Sequence, residues 1–117
     1  MRHDSSYLRD ALRAIQELEE FVASTTEQQF LSDKFRQSYA FHRLVILGEA
    51  AVQLAKPYQQ TYPSVPWSRL IALRNRLVHA YFDLDQPLLW NTLNSRLDEL
   101  RAQLKLILES EFPGQSY

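Results

Sequence analysis

The chain has 117 residues, 45% of them hydrophobic, a formal net charge of −1 and no cysteine. That length predicts one domain, 1–117, able to bury roughly two-thirds of its surface without a disulfide or a metal. Lack of cysteine excludes disulfides, thiolate zinc sites and cysteine nucleophiles and suits a cytoplasmic setting, near-neutral charge excludes a global pull toward nucleic acid, and no apolar run approaches the roughly 20 residues of a membrane helix.

Apolar spacing is helical along the whole chain, with no sustained alternation of the strand kind. The opening "MRHDSSYLRD" is polar and lacks the apolar core of a signal peptide. A first helix is predicted from Ser5 to Ala23 on the stripe Leu8, Leu12, Ile15, Leu18 and Val22. The link "STTEQQF" adds at most a turn of helix. A second helix is predicted from Asp33 to Lys56, with Ser32 as N-cap and Pro57 just past its end. "YPSVPW" reads as a proline-stiffened connector leading into a third helix, Trp67 to His79. A fourth runs from Gln86 to Glu109, with Asp85 as cap, Pro87 in the first turn and the stripe Leu89, Leu93, Leu97, Leu100, Leu104 and Ile107. Residues 110–117 read as a loose tail. The expected fold is all-α, an antiparallel four-helix bundle with room for one extra short helix.

The second helix is apolar nearly all round, with Phe41, Val45 and Val52 on one side, Leu44, Leu47, Ala51 and Leu54 on another, and Tyr39 and Ile46 on a third. Either a homodimer covers the surplus, with Gly48 and Ala51 permitting close backbone approach, or this helix is central in an irregular bundle.

Charge is unevenly placed. Of 13 basic residues 10 are arginine. Arg69, Arg74 and Arg76 occupy a segment without acids, as do Lys34, Arg36 and Arg43. The two segments either form one phosphate-binding surface or are solvated faces balanced by acids elsewhere in space.

In "LIALRNRLVHAYFDLD", Arg74 projects from the middle of the arc that holds Leu70, Ile71, Leu77 and Val78. A buried guanidinium needs a partner, and Glu49, inside the apolar run "VILGEAAVQLA", is the natural one. His42 and Gln53 fall on the Glu49 side of the second helix. Such a pair is either a packing tie alone or part of a site. His79 lies about 140° around the helix from Arg74 and on the side of Asn75; fraying of the helix end, or a second subunit, would bring it to Arg74. In isolation it is a favourable contact with the helix dipole. Tyr81 returns to the Arg74 side if the helix persists, and otherwise reads as a packing aromatic.

"RNRLVHAY" is Arg, four residues, His, any residue, Tyr, and it resembles the signature of the HEPN superfamily, specifically its HepT-like branch of toxin ribonucleases. "LGEAAVQL", "YPSVPW", "RNRLVHAYFDLD" and Trp90 follow in that branch's order and spacing, covering roughly residues 43–108. Ala80 stands where the branch often has glycine. The resemblance implies a homodimeric helical bundle whose two motifs meet in a cleft. It also implies a metal-independent endoribonuclease toxin of a type VII toxin–antitoxin system. The ribose 2′-hydroxyl attacks the adjacent phosphate, leaving a cyclic phosphate and a free 5′-hydroxyl, with no cofactor. Carried over, His79 is the general acid or base, Arg74 stabilises phosphoryl charge, Asn75 orients the imidazole or the RNA, and Tyr81 lines the cleft. Glu49 as the holder of Arg74 comes from the patterning instead. The implied partners are RNA, whether tRNA or mRNA, and an MntA-like minimal nucleotidyltransferase antitoxin that transfers AMP to Tyr81. The alternatives are a non-catalytic HEPN binding module acting with a nucleotidyltransferase, or a purely structural dimer. A metal enzyme is not expected, since His42 and His79 show no ligand spacing.

Overall fold

A computed structural model describes residues 3–115, apart from the side chain of Tyr81. The described residues are all-helical: α1 (Asp4–Ala23), α2 (Glu27–Ser32), α3 (Lys34–Tyr58), α4 (Trp67–His79), a 3-10 turn (Tyr81–Asp83), α5 (Gln86–Leu93) and α6 (Leu97–Glu111). None of these helices is long and apolar enough to cross a membrane.

The α1 stripe is buried as its spacing requires, with Leu8, Leu12, Ile15 and Leu18 fully inside. The helix stops where Ser24 turns its hydroxyl back onto the carbonyls of Glu20 and Phe21. The link then forms a full short helix, α2, because Thr26 and Gln29 make a reciprocal capping box: the Gln29 amide donates to Thr26 Oγ1 (3.1 Å) and the Thr26 amide to Gln29 Oε1 (2.9 Å). This small helix delivers Phe30, fully buried, between Phe21 and Trp90, with ring centroids at 6.2 and 5.3 Å.

Three boundaries differ from expectation. The cap of α3 is Asp33, whose carboxylate accepts from the Phe35 amide at 2.8 Å and from Arg36 at 2.6 Å; Ser32 is the last residue of α2 and donates to the Gln28 carbonyl. Pro57 lies inside α3, which runs on to Tyr58. Proline there removes one helical hydrogen bond, and burial of the Tyr58 ring against the core offsets it. The predicted fourth helix is two. Asn94 Nδ2 donates to the Trp90 carbonyl (2.8 Å) and Ser95 Oγ to that of Thr92 (2.5 Å). Short polar side chains thus take backbone acceptors and end α5. Leu93 and Leu97 remain buried across the break, so the stripe is unbroken although the helix is not. Asp85 caps α5 as predicted.

The region read as a loose tail begins as helix, since α6 reaches Glu111. Phe112 packs partly on the core, and Arg9 donates to Gln115 Oε1 at 2.6 Å. Near this end Tyr62 donates to Glu111 at 2.6 Å. That bond holds the Tyr62 phenol above its ordinary pKa, and burial followed by the nearby Asp4 and Glu111 charges raises Tyr58.

Helix α1 packs on α3 and α6, α3 packs also on α4 and α2, and α2 touches α5. Having three neighbours accounts for much of the apolar surplus of α3: Phe41, Val45 and Ile46 are half-buried against the core. Gly48 serves a contact within the chain, where α4 crosses α3.

Candidate active site

The crossing of α3 and α4 sets the geometry. A Cβ built on Gly48 would lie 2.6 Å from Arg74 Cβ and 3.2 Å from Arg74 Cα. Only glycine admits α4 this close. The next residue of α3 therefore faces the same arginine. Arg74 Nε donates to Glu49 Oε1 at 2.7 Å, and Nη2 lies 3.4 Å from Oε2, an asymmetric fork. The remaining nitrogen, Nη1, donates to Asn75 Oδ1 at 2.9 Å. Arg74, Glu49 and Asn75 are thus one connected group.

The pair is not buried as its position in an apolar arc suggested. The Arg74 and Glu49 side chains are 31% and 43% exposed. Leu70 and Leu77 are buried, Ile71 is half-buried, and Val78 is exposed. The arc is wider than the core it faces, and Arg74 sits at its solvent edge. Desolvation there is partial, so the pair contributes at most about 1 kcal/mol to stability. Its use is orientation: two donors on Glu49 fix the guanidinium plane while the side chain stays about a third exposed.

His79 is exposed in the last turn of α4. The turn is intact, since the Ala80 amide donates to the Arg76 carbonyl at 2.9 Å. Fraying therefore does not swing His79 toward Arg74. Within one protomer the imidazole lies about 7.5 Å further along the axis and about 140° around it. It shares its face with Asn75 and Arg76, its neighbours at four and three residues. Helix α4 ends at His79, so Tyr81 enters the 3-10 turn rather than continuing the Arg74 face; the expected roles of its side chain lie outside the described residues. His42 is exposed and shares a hydrogen bond with Arg43 at 2.9 Å; it does not join the Arg74 group.

The basic segments divide. Arg36, Arg43 and Arg74 are paired with Asp33, Glu17 and Glu49. Arg69 and Arg76 are exposed on α4 and make no ion pair among the described residues. They border a groove of about 690 Å³ between α4 and α6, which Arg96 closes on the far side. Arg96 was not legible as a site residue, because nothing in its own segment signals what it faces. No cluster of three or more His, Asp or Glu suited to a metal exists among the described residues.

Comparison with known proteins agrees with the motif. Residues 11–107 match the Ribonuclease HepT-like family. The chain is 32% identical over 104 residues to "Probable ribonuclease HepT" of Thermococcus cleftensis, covering 89% of this chain and 94% of that one. It is 30% identical over 111 residues to a "Putative RNase" of Caldanaerobacter subterraneus, covering 95% and 99% of the two chains. A "Putative RNase" of Methanocaldococcus jannaschii is 26% identical over 106 residues, covering 91% and 97%. No solved structure matches the chain. On a match that spans the helices carrying Arg74, Glu49 and His79, this chain belongs to the HepT-like ribonuclease family.

Proposed function

We propose that this chain is a metal-independent endoribonuclease that acts as a homodimer and is the toxin of a toxin–antitoxin pair. The observation that carries the reading is the Arg74 guanidinium, oriented by Glu49 and Asn75 at the surface of α4, in a chain that retains the whole Arg–His–Tyr motif of a ribonuclease family.

The chemistry needs two proton transfers and charge stabilisation. The 2′-oxygen forms a bond to phosphorus as its proton passes to a base. The bond from phosphorus to the 5′-oxygen breaks as that oxygen takes a proton from an acid. An imidazole can both accept and donate a proton, so His79 serves either role, and two protomers supply two imidazoles. Arg74 offers N–H donors to the phosphoryl oxygens, whose charge grows in the transition state. Asn75, one turn before His79, holds the imidazole or the backbone of the RNA. Dimerisation is the step that unites Arg74 of one face with His79 of the other. Two exposed large hydrophobic residues near His79 in the chain, Val78 and Phe82, 41% and 97% exposed, favour an interface at this end of α4.

Tyr81 is the acceptor for inactivation. A partner nucleotidyltransferase transfers AMP from ATP, so that the phenol oxygen bonds the α-phosphorus, pyrophosphate leaves and the phenol proton is released. The added phosphate brings negative charge and bulk that oppose RNA binding.

Cleavage of an RNA oligomer in excess EDTA tests the reading. Full activity in EDTA, no cut when the cleaved position is 2′-deoxy, and loss of activity in His79→Ala with sedimentation unchanged are expected. No cleavage by the native protein under any of these conditions refutes it in favour of a non-catalytic binding module. A mass gain of AMP after co-expression with a nucleotidyltransferase, absent in Tyr81→Phe, is expected for the inactivation step.

A further inference from the structure

The groove between α4 and α6 is not explained by the Arg74 group. Its rim carries Arg69 and Arg76 from α4 and Arg96 from the N-terminus of α6, and its floor is Leu70, Leu97 and Leu100. One acid, Glu99, shares the rim and pairs with Arg96 at 3.3 Å, with the two side chains 53% and 86% exposed. Three guanidiniums against one carboxylate make a positive groove on a chain of net charge −1. Arg69 and Arg76 are seven residues apart, about 10.5 Å along one line of the helix. His79 stands three residues beyond Arg76, about 4.5 Å further along the helix and about 60° off that line, on the flank away from the groove. The cationic rim therefore ends beside His79, which lies between it and the Arg74 face.

We propose that this groove is a subsite for the single-stranded stretch of RNA that flanks the cleaved linkage. Phosphates lie along Arg69, Arg76 and Arg96, and unpaired bases lie on the leucine floor. Charge complementarity selects a polyanion. The apolar floor selects one whose base faces are free, since a duplex hides them in its stack and presents only backbone to the rim. The direction in which the strand leads rests on the ribonuclease reading above; the groove's affinity for the strand does not.

Binding of a short, non-cleavable 2′-O-methyl oligonucleotide, measured by fluorescence anisotropy as salt is raised, tests this separately from catalysis. The native protein binds the single strand on the order of tenfold more tightly than the same sequence in a duplex. Replacing all three arginines by glutamine lowers affinity on the order of tenfold and reduces the logarithmic salt slope by about 2, or about 0.7 for each phosphate contact. Lys105→Gln, a charge removed from the exposed side of α6 outside the groove, moves neither quantity. If the triple variant folds poorly by circular dichroism, Arg69→Gln and Arg96→Gln singly each reduce the slope by about 0.7.

An unchanged affinity and slope in the variants, or equal binding of duplex, overturns the proposal. A change in sedimentation of the triple variant assigns the groove to a second copy instead. Loss of nucleotidyltransferase binding with RNA binding intact assigns it to a protein partner. A native protein that binds as described but cleaves nothing leaves the groove standing and removes the ribonuclease reading. Cleavage with indifferent arginines does the reverse.

Discussion

Gly48→Ala is the substitution on which sequence and structure disagree in sign. By helix propensity alone, alanine for glycine inside α3 stabilises by about 0.5–1 kcal/mol. The packing says otherwise. The new methyl would lie 2.6 Å from Arg74 Cβ and 3.2 Å from Arg74 Cα. These atoms belong to the root of the side chain and the backbone, so no flexible end can swing away. Relief requires α4 to retreat by about 1 Å, to an ordinary contact near 3.6 Å. Overpacking of this kind costs about 1–3 kcal/mol, which after the propensity gain leaves a net loss centred on about 1 kcal/mol and at most about 2.5 kcal/mol. For a chain of this size that lowers Tm by about 4–8 °C. Urea unfolding followed by circular dichroism gives the free energy, and a thermal scan gives the Tm. The double variant Gly48→Ala/Arg74→Gly removes the opposing Cβ and should recover about 1 kcal/mol in a double-mutant cycle. Because Glu49 and Arg74 move apart with the helices, RNA cleavage should fall by up to about a hundredfold. A stabilised Gly48→Ala protein would refute the close crossing, and with it the geometry that orients Arg74.

Glu49→Gln tests orientation against stability. The pair is about a third to nearly half exposed, so unfolding free energy should change by less than about 1 kcal/mol, whereas kcat for RNA cleavage should drop markedly; equal kcat would make Glu49 a bystander. Phe30→Ala should cost about 3–5 kcal/mol by urea unfolding, because it empties a fully buried site between Phe21 and Trp90; a loss below about 1 kcal/mol would mean that α2 is not docked. Tyr58 and Tyr62 both titrate above the ordinary phenol value of 10.0. Their raised values mean that the folded state holds its phenol protons where the unfolded chain releases them, so this contribution is whole below about pH 10 and is lost as pH rises through the folded values. The Tm should fall more steeply above pH 10 in the native protein than in Tyr62→Phe, as read by thermal scans alongside tyrosinate absorbance; parallel curves would count against it.

Much of this protein was legible before any coordinates. Helical periodicity is a local property, so α1 and α4 fall where the leucine spacing puts them, and a cap such as Asp85 acts on its own first turn. The Arg74–Glu49 pair was legible too, because each charge breaks an apolar pattern and two such breaks have one economical solution. Boundaries failed where polar side chains outcompeted the pattern. Leu93 and Leu97 keep the stripe intact across a break made by Asn94 and Ser95, and apolar spacing carries no trace of it.

The tertiary structure alone decided how close α4 comes to α3, and hence that Gly48 is spent inside the chain. It also decided that Arg74 lies at the solvent edge rather than within the core, and that Arg96 faces Arg69 and Arg76 across a groove. The reason is common to all three. Separation in space between residues distant in the chain depends on how whole helices pack, and no residue's own neighbours in sequence record that distance.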